Sequence, residues 1–313
     1  MTTLNRYRGA LLGLAAGDAL GTTLEFTHPG NFIPLTDMVG GGPFSLKPGE
    51  WTDDTSMALC LAESLVTKRG FDPVHQLETY VRWYRHGHLS VKGRCFDIGT
   101  ATRGALDRFI RTREPFCGDP SPYAAGNGSL MRLAPAPLAF ASDPAEAIRL
   151  AGDSSRTTHA AVECVDACRY FAGLLLAALA GMPKRDILSN EYEPAVKCWL
   201  ANPLAPKVEE IARGSFKVRQ PPAIRGSGYV IHTLEAALWA FHTTDNFRDG
   251  AIAVVNLGED ADTTGAVYGQ IAGAYYGADG IPAEWREKLA MRELIEQRAA
   301  ELHAMASPGE PGA

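Results

Sequence analysis

The sequence predicts an all-α fold, a single compact multi-helix domain over residues 1–306. Three observations carry that expectation. Asp72-Pro73 and Asp143-Pro144 each set an acidic N-cap before a proline at the first helical position. Residues 160–180 are rich in alanine and leucine and apolar on most faces, as a central core helix is. No series of alternating β-branched runs reads as a sheet.

In chain order, residues 1–8 carry no signal-peptide pattern and pass straight into an amphipathic helix. Gly17-Asp18-Ala19-Leu20-Gly21 closes it; alone, this reads as a glycine C-cap beside a solvated aspartate. The same small residues also let a backbone approach a ligand, with Glu25 reaching a metal or a nucleophilic water. Trp51-Thr52-Asp53-Asp54-Thr55 then leads into a helical run. One aspartate is enough for an N-cap, and a second adds repulsion that a cation touching both would remove. Behind Asp72, the apolar residues Val74, Leu77 and Val81 recur at helical spacing. Asp97-Ile98-Gly99-Thr100 reads as one more N-cap.

Gly126-Asn127-Gly128-Ser129-Leu130-Met131-Arg132 is a glycine-rich turn running into a helix, either a plain turn or a place where amides face phosphate or sugar oxygens. Asp143 is followed by Glu146 at the capping-box position and by Ala147, Leu150 and Ala151 at helical spacing. Thr157-Thr158-His159 enters the core helix. A lone histidine is commonly structural, although here it is also placed to bond a diol or a phosphate. Gly226-Ser227-Gly228-Tyr229 sets an aromatic on a glycine loop, where it can stack on a base or ribose, before a helix from Val230. Further helices are expected at 247–255, 264–276 and 283–304. Before the second of these, Gly258-Glu259-Asp260-Ala261-Asp262-Thr263-Thr264-Gly265 reads as an extended stretch with both aspartates on one side. An EF-hand would need more oxygen ligands and a terminal glutamate. The proline- and glycine-rich tail, 307–313, is expected to be disordered.

Composition narrows the function. The net charge of -6, with no basic block, excludes nucleic acid as the main partner. The longest apolar run, 174–180, is too short to span a bilayer. Six cysteines without a Cys-x-x-Cys pair point to a reducing cytoplasm and to thiols without a catalytic role. No heptad seam appears, so a monomer is expected. Four aspartates flanked by threonine hydroxyls form the oxygen donor set that Mg²⁺ or Mn²⁺ prefers, and two clusters brought together can hold two ions.

Taken in order, Gly17-Asp18-Ala19-Leu20-Gly21, Thr52-Asp53-Asp54-Thr55, the 126–132 turn and Asp260-Ala261-Asp262-Thr263-Thr264-Gly265 resemble the ADP-ribosylglycohydrolase family. The likeness is nearest to its bacterial dinitrogenase reductase-activating branch and extends over 38–42 and 47–49. The resemblance implies an all-α fold with a dinuclear metal cleft whose two divalent cations, Mg²⁺ or Mn²⁺, are held by Thr52, Asp53, Asp54, Asp260, Asp262 and Thr263. It implies Asp54, Glu25 and Asp97 as the catalytic carboxylates, with Asp97 meeting the guanidinium of a modified arginine. Gly126, Asn127, Gly128, Ser129, His159 and Tyr229 become contacts to ADP-ribose. The Ser129-Leu130 pair stands where close bacterial relatives carry alanines, a departure within the ribose pocket. The expected activity is metal-dependent removal of ADP-ribose from arginine on a mono-ADP-ribosylated protein, with free ADP-ribose as product. The alternatives are an O-linked ADP-ribose hydrolase, acting on serine, O-acetyl-ADP-ribose or a small molecule, and a non-catalytic ADP-ribose-binding or immunity protein.

Overall fold

Glycine recurs every fourth residue near the start of the chain, at 9, 13, 17 and 21, and again at 265, 269 and 273. In the computed structural model, which describes residues 1–189 and 191–307, these two series face each other and join the ends of the chain. The helices run α1 (Thr3–Gly21), α2 (Asp53–Lys68), α3 (Pro73–His86), α4 (Thr100–Thr112), α5 (Pro135–Ala139), α6 (Pro144–Arg156), α7 (Val162–Leu179) and α8 (Lys184–Leu188). They continue with α9 (Glu193–Ala201), α10 (Pro206–Ala212), α11 (Ser215–Val218), α12 (Val230–Thr243), α13 (Phe247–Val255), α14 (Ala261–Tyr276), α15 (Ala283–Lys288) and α16 (Arg292–Ala306). Among the described residues, β-pairing is limited to isolated bridges. The all-α expectation therefore holds, in one domain.

Helices α1 and α14 pack backbone against backbone. A Cβ built on Gly9, Gly13 or Gly17 would lie 2.1, 2.2 or 1.9 Å from the carbonyl oxygen of Gly273, Gly269 or Gly265, far inside van der Waals contact. A Cβ on Gly21 would meet the carbonyl of Ala261 at 2.2 Å. Helix α1 thus runs unbroken through Gly17 to Gly21, and its glycines accommodate a helix rather than a ligand or a C-cap. The seam ends at Gly21 and Ala261, one turn beyond Asp18 in α1 and beside Asp262 and Thr263 in the first turn of α14. Around this pair the core helix α7 is buried over nearly its whole length, as its sequence predicts.

The expected caps at Asp72 and Asp143 are present: their carboxylates accept the His75 N–H at 3.0 Å and the Glu146 N–H at 3.2 Å. Glu146 does not complete a capping box, because its carboxylate pairs with Arg149 instead. The helix expected over 283–304 is divided. Ala290 donates its N–H to the Gly49 carbonyl at 2.9 Å and its carbonyl accepts the Trp51 indole at 3.1 Å, so the chain breaks at 289–291 to anchor the loop before α2. Of the tail, Ser307 closes α16 with an N–H to the His303 carbonyl; the expected disorder at 308–313 lies outside the described residues. No helix among the described residues is long and apolar enough to cross a membrane.

Candidate metal and active site

Helix α2 begins at an N-cap, Thr52, whose own side chain does not cap it. Asp18 of α1 does so from the neighbouring helix. One of its oxygens accepts the Thr52 N–H at 2.8 Å and the Thr52 hydroxyl at 2.9 Å; the other accepts the Thr55 N–H at 3.0 Å and hydroxyl at 2.6 Å. Asp53 and Asp54, in the first turn, are thereby released from capping. They are not the N-cap that one sequence reading allows. The helix dipole favours negative charge there, but burial and mutual repulsion oppose it.

The second cluster is helical as well. Asp260 is the N-cap of α14 and Asp262 lies in its first turn, so the Asp-x-Asp pair is not extended. Both carboxylates still converge, since N-cap and first-turn side chains project from the same helix end. Asp260 receives the Asn127 amide at 2.7 Å, and the same amide group reaches the Thr233 hydroxyl at 2.9 Å. The hydroxyl of Thr52 sits 3.1 Å from Asp54 and 3.2 Å from Asp262, across the two clusters.

These groups floor a cavity of about 350 Å³ lined in part by Glu25, Asp53, Asp97, Asn127, His159, Asp260, Asp262 and Thr263. Thr52 and Asp54 lie beneath it, fully buried. Glu25, Asp97 and Asp262 bring carboxylate oxygens within 4.8 Å of one another, and so do Asp18, Asp54 and Asp262. Asp18 is nevertheless occupied, with two hydrogen bonds to each oxygen that hold Thr52 and Thr55 at the start of α2. None of the described lining residues is lysine or arginine.

Burial, with repulsion from neighbouring carboxylates, holds Asp53, Asp54 and Asp262 well above the usual aspartate range. The same causes push Glu25 up to about 10, chiefly through burial and then Asp97, and Asp97 up to about 7. Asp18, raised mainly by burial, reaches about 6 despite its four hydrogen bonds. Two buried oxygens, Asp54 Oδ1 and Glu25 Oε2, have no hydrogen-bond partner. Orphaned carboxylate oxygens facing several others, with no cationic side chain, fit divalent cations and relieve nothing without them.

The remaining expected site residues divide. Gly126, Asn127, Gly128 and His159 line the cavity. The 126–132 segment is a turn that leads into the short helix α5 from Pro135; its backbone is tied to the 226–229 loop by Asn127 N–H to Gly228 O at 3.2 Å and a bridge between Gly126 and Tyr229. Ser129 points inward, its hydroxyl accepting from Ser155 at 2.8 Å. Tyr229 turns its hydroxyl to Glu163 at 2.5 Å and Lys207 at 2.7 Å, beside the cavity rather than in it. Asp97 is not an N-cap: Gly99 fills that role for α4, and Asp97 sits at φ 53° facing Glu25. Asp18, which sequence reasoning leaves as a solvated helix-end residue, is fully buried at the centre of the site. Phe26, 68% exposed at the rim, has no sequence signal beyond its place next to Glu25.

A family model described as ADP-ribosylglycohydrolase matches residues 1–311. The ADP-ribosylarginine hydrolase Tri1 of Pseudomonas putida is 47% identical over 299 residues, 96% of this chain and 78% of that protein. The ADP-ribosyl-[dinitrogen reductase] glycohydrolase of Rhodospirillum rubrum is 34% identical, over 94% of this chain and 93% of its own. A solved structure described as an ADP-ribosylglycohydrolase-related protein complex superposes with a TM-score of 0.86 at 46% identity, covering 97% of this chain and 99% of that one. The glycine seam, the two converging acidic helix starts and these likenesses agree: the chain belongs to the ADP-ribosylglycohydrolase family.

Proposed function

We propose that the protein is a metal-dependent hydrolase that removes ADP-ribose from ADP-ribosylated arginine on a protein. The observation that carries this reading is the cavity itself: buried carboxylates converge on it from the starts of α2 and α14, uncompensated by any lining cation, with Asp97 and Glu25 beside them. The identity to proteins named ADP-ribosylarginine hydrolase, 47% and 45%, supports the arginine linkage. Thr52, Asp53, Asp54, Asp260, Asp262 and Thr263 would hold two divalent cations, Mg²⁺ or Mn²⁺. When bound, these cations neutralise the carboxylates, fix the vicinal hydroxyls of the ribose and make a water acidic enough to ionise near neutral pH.

The chain's own groups then divide the proton work. Glu25 lines the cavity and, ionised once cations offset the neighbouring carboxylates, would take the proton of the attacking water; Asp54, beneath, keeps its oxygens for the cations. The water's hydroxyl ends on the anomeric carbon as the bond to the guanidine nitrogen breaks. Its proton returns to the departing guanidine, and Asp97 faces the resulting guanidinium. Asn127 holds Asp260 in place through its amide. At Gly126 the turn leaves bare backbone on the cavity wall, against which a ribose or phosphate can lie.

The test is release of ADP-ribose from an arginine-linked protein, run beside a serine-linked one, with Mg²⁺, Mn²⁺ and EDTA arms. Metal-dependent release from arginine alone is expected, abolished in Asp53→Ala and Asp260→Ala variants that remain folded. Release from serine alone would move the function to the O-linked branch. Wild-type turnover in both variants would end the metal reading.

A further inference from the structure

Arg132 is 1% exposed, yet no carboxylate among the described residues lies within ion-pair distance of it. Its guanidinium stacks over the Tyr80 ring, 4.5 Å from the centroid, while Nε and Nη1 have no hydrogen-bond partner. Nη2 donates to the Thr158 hydroxyl at 2.8 Å, and that hydroxyl lies 2.8 Å from His159 Nδ1. A buried arginine whose strongest polar contact is a threonine beside an active-site histidine calls for a reason, because burying such a charge unpaired is unfavourable.

The direction of each bond follows from counting protons. A guanidinium only donates, so Thr158 Oγ1 accepts from Arg132. Thr158 is 1% exposed, and His159 Nδ1 is the one acceptor the structure places near its hydroxyl hydrogen among the described residues. Were Nδ1 protonated, two donors would meet at one oxygen and the threonine hydrogen would be buried without a partner. Nδ1 therefore accepts, and the neutral ring carries its hydrogen on Nε2. That edge faces the cavity: a Cβ on Gly128 would fall 2.8 Å from His159 Cε1 and 3.0 Å from Nε2, so the ring occupies the space that glycine leaves. Burial, and after it the nearby guanidinium, also disfavours the imidazolium.

We propose that Arg132, acting through Thr158, is a positioning residue that fixes His159 as the neutral Nε2–H tautomer, so that the cavity presents a hydrogen-bond donor to an oxygen of the ligand. A carboxylate partner for Nδ1 would instead draw the ring towards its charged, doubly protonated form. The relay from arginine to threonine makes it a neutral donor of defined direction, and a phosphate or ribose oxygen is the matching acceptor. The identity of that ligand rests on the proposed function; the tautomer does not.

Nitrogen-15 spectra of the histidine rings in ligand-free protein test the relay directly, with His159 assigned by its loss in His159→Asn. The expected wild-type signature is a single neutral Nε2–H form from pH 5 to 8. Thr158→Val, nearly isosteric, should populate the Nδ1–H or protonated form, and Thr158→Ser should restore the wild-type pattern. ADP-ribose affinity should fall roughly fivefold to tenfold in Thr158→Val and recover in Thr158→Ser, the size expected for one misdirected hydrogen bond. An Nδ1–H form in the wild type, or an unchanged spectrum in Thr158→Val, overturns the relay whatever the protein hydrolyses. An intact relay in a protein that releases no ADP-ribose would leave it standing and count against the proposed function alone.

Discussion

The Asp18 carboxylate accepts both the backbone N–H and the hydroxyl of Thr52, at 2.8 and 2.9 Å, so that a side chain of one helix caps the start of another. This places Asp18 and Asp53 in opposite energetic roles. Asparagine at 18 keeps one accepting oxygen but turns an NH₂ towards either the Thr52 or the Thr55 donors. Asp18→Asn should therefore destabilise the ion-free protein by about 2–3 kcal/mol, as loss of buried hydrogen bonds to a charged acceptor does, and weaken Mg²⁺ binding too. Asp53→Asn removes like-charge repulsion and should leave ion-free stability unchanged or higher while abolishing Mg²⁺ binding. Urea unfolding in EDTA, with Mg²⁺ titration of the same variants, separates the two; equal destabilisation would refute the division.

The seam between α1 and α14 predicts a sharp contrast among glycines. Gly17→Ala would place a methyl 1.9 Å from the Gly265 carbonyl oxygen, and neither helix backbone can yield without moving the acidic clusters apart. We expect a loss above about 4 kcal/mol, beyond ordinary overpacking, or failure to fold. Gly104, inside α4, is exposed, and a Cβ added there would meet nothing within 4 Å. Gly104→Ala should stabilise by about 0.5–1 kcal/mol through helix propensity. Urea midpoints measure both, and a Gly17→Ala protein within about 1 kcal/mol of wild type would contradict backbone contact.

Much of this was legible in the residues, in ways that differ by element. The caps at Asp72 and Asp143 and the core helix α7 follow from local signals, because a cap is satisfied within four residues and a core helix shows its apolar faces. The two acidic clusters are recognisable because adjacent carboxylates carry a repulsion that a simple helix start does not explain. Asp18 is different. Its partners lie 34 and 37 residues away, and nothing local separates a buried cap from a solvated helix-end aspartate. The glycine spacing of four was a signal present in the sequence, but it becomes meaningful only when 9–21 and 261–273 are read as matching faces. The break at 289–291 was illegible, since the bonds that impose it come from Gly49 and Trp51.

Metal removal should make stability depend on pH in a definite direction. Without ions, Asp18, Asp97 and Glu25 stand at about 6, 7 and 10 in the folded protein, against roughly 4 in an unfolded chain. Folded protein then holds more protons than unfolded, so this contribution is complete below about pH 4 and is lost as pH rises through 6 and 7 towards 10. His159, pushed down to about 3 chiefly by burial, acts oppositely, weakening the fold as pH falls below its unfolded value of about 6.5. The proposed ligands Asp53, Asp54, Asp260 and Asp262 are raised in the same direction; divalent cations would bind them ionised and leave His159 alone. The gap in melting temperature between Mg²⁺ and EDTA samples should therefore widen from pH 5.5 to pH 8, by about 5 °C or more. Differential scanning calorimetry at the two pH values reads it, and a constant or narrowing gap would reject the carboxylate linkage.

Asp97 offers the cleanest separation of chemistry from folding. It occupies φ 53°, a conformation that asparagine tolerates about as well as aspartate, so Asp97→Asn preserves the backbone while removing the charge. If Asp97 holds the leaving guanidinium, the variant should lose about 10²–10³ in kcat on an arginine-linked substrate, the scale of a displaced charge-stabilising group. ADP-ribose lacks the guanidinium, so its affinity should change less than about threefold, since one lost interaction is all that distinguishes the two ligands. Single-turnover release and ADP-ribose titration on the same variant measure the two quantities. A matched loss in both would make Asp97 a support for Glu25 and the cations, and would leave the arginine preference to be explained by another group at the rim.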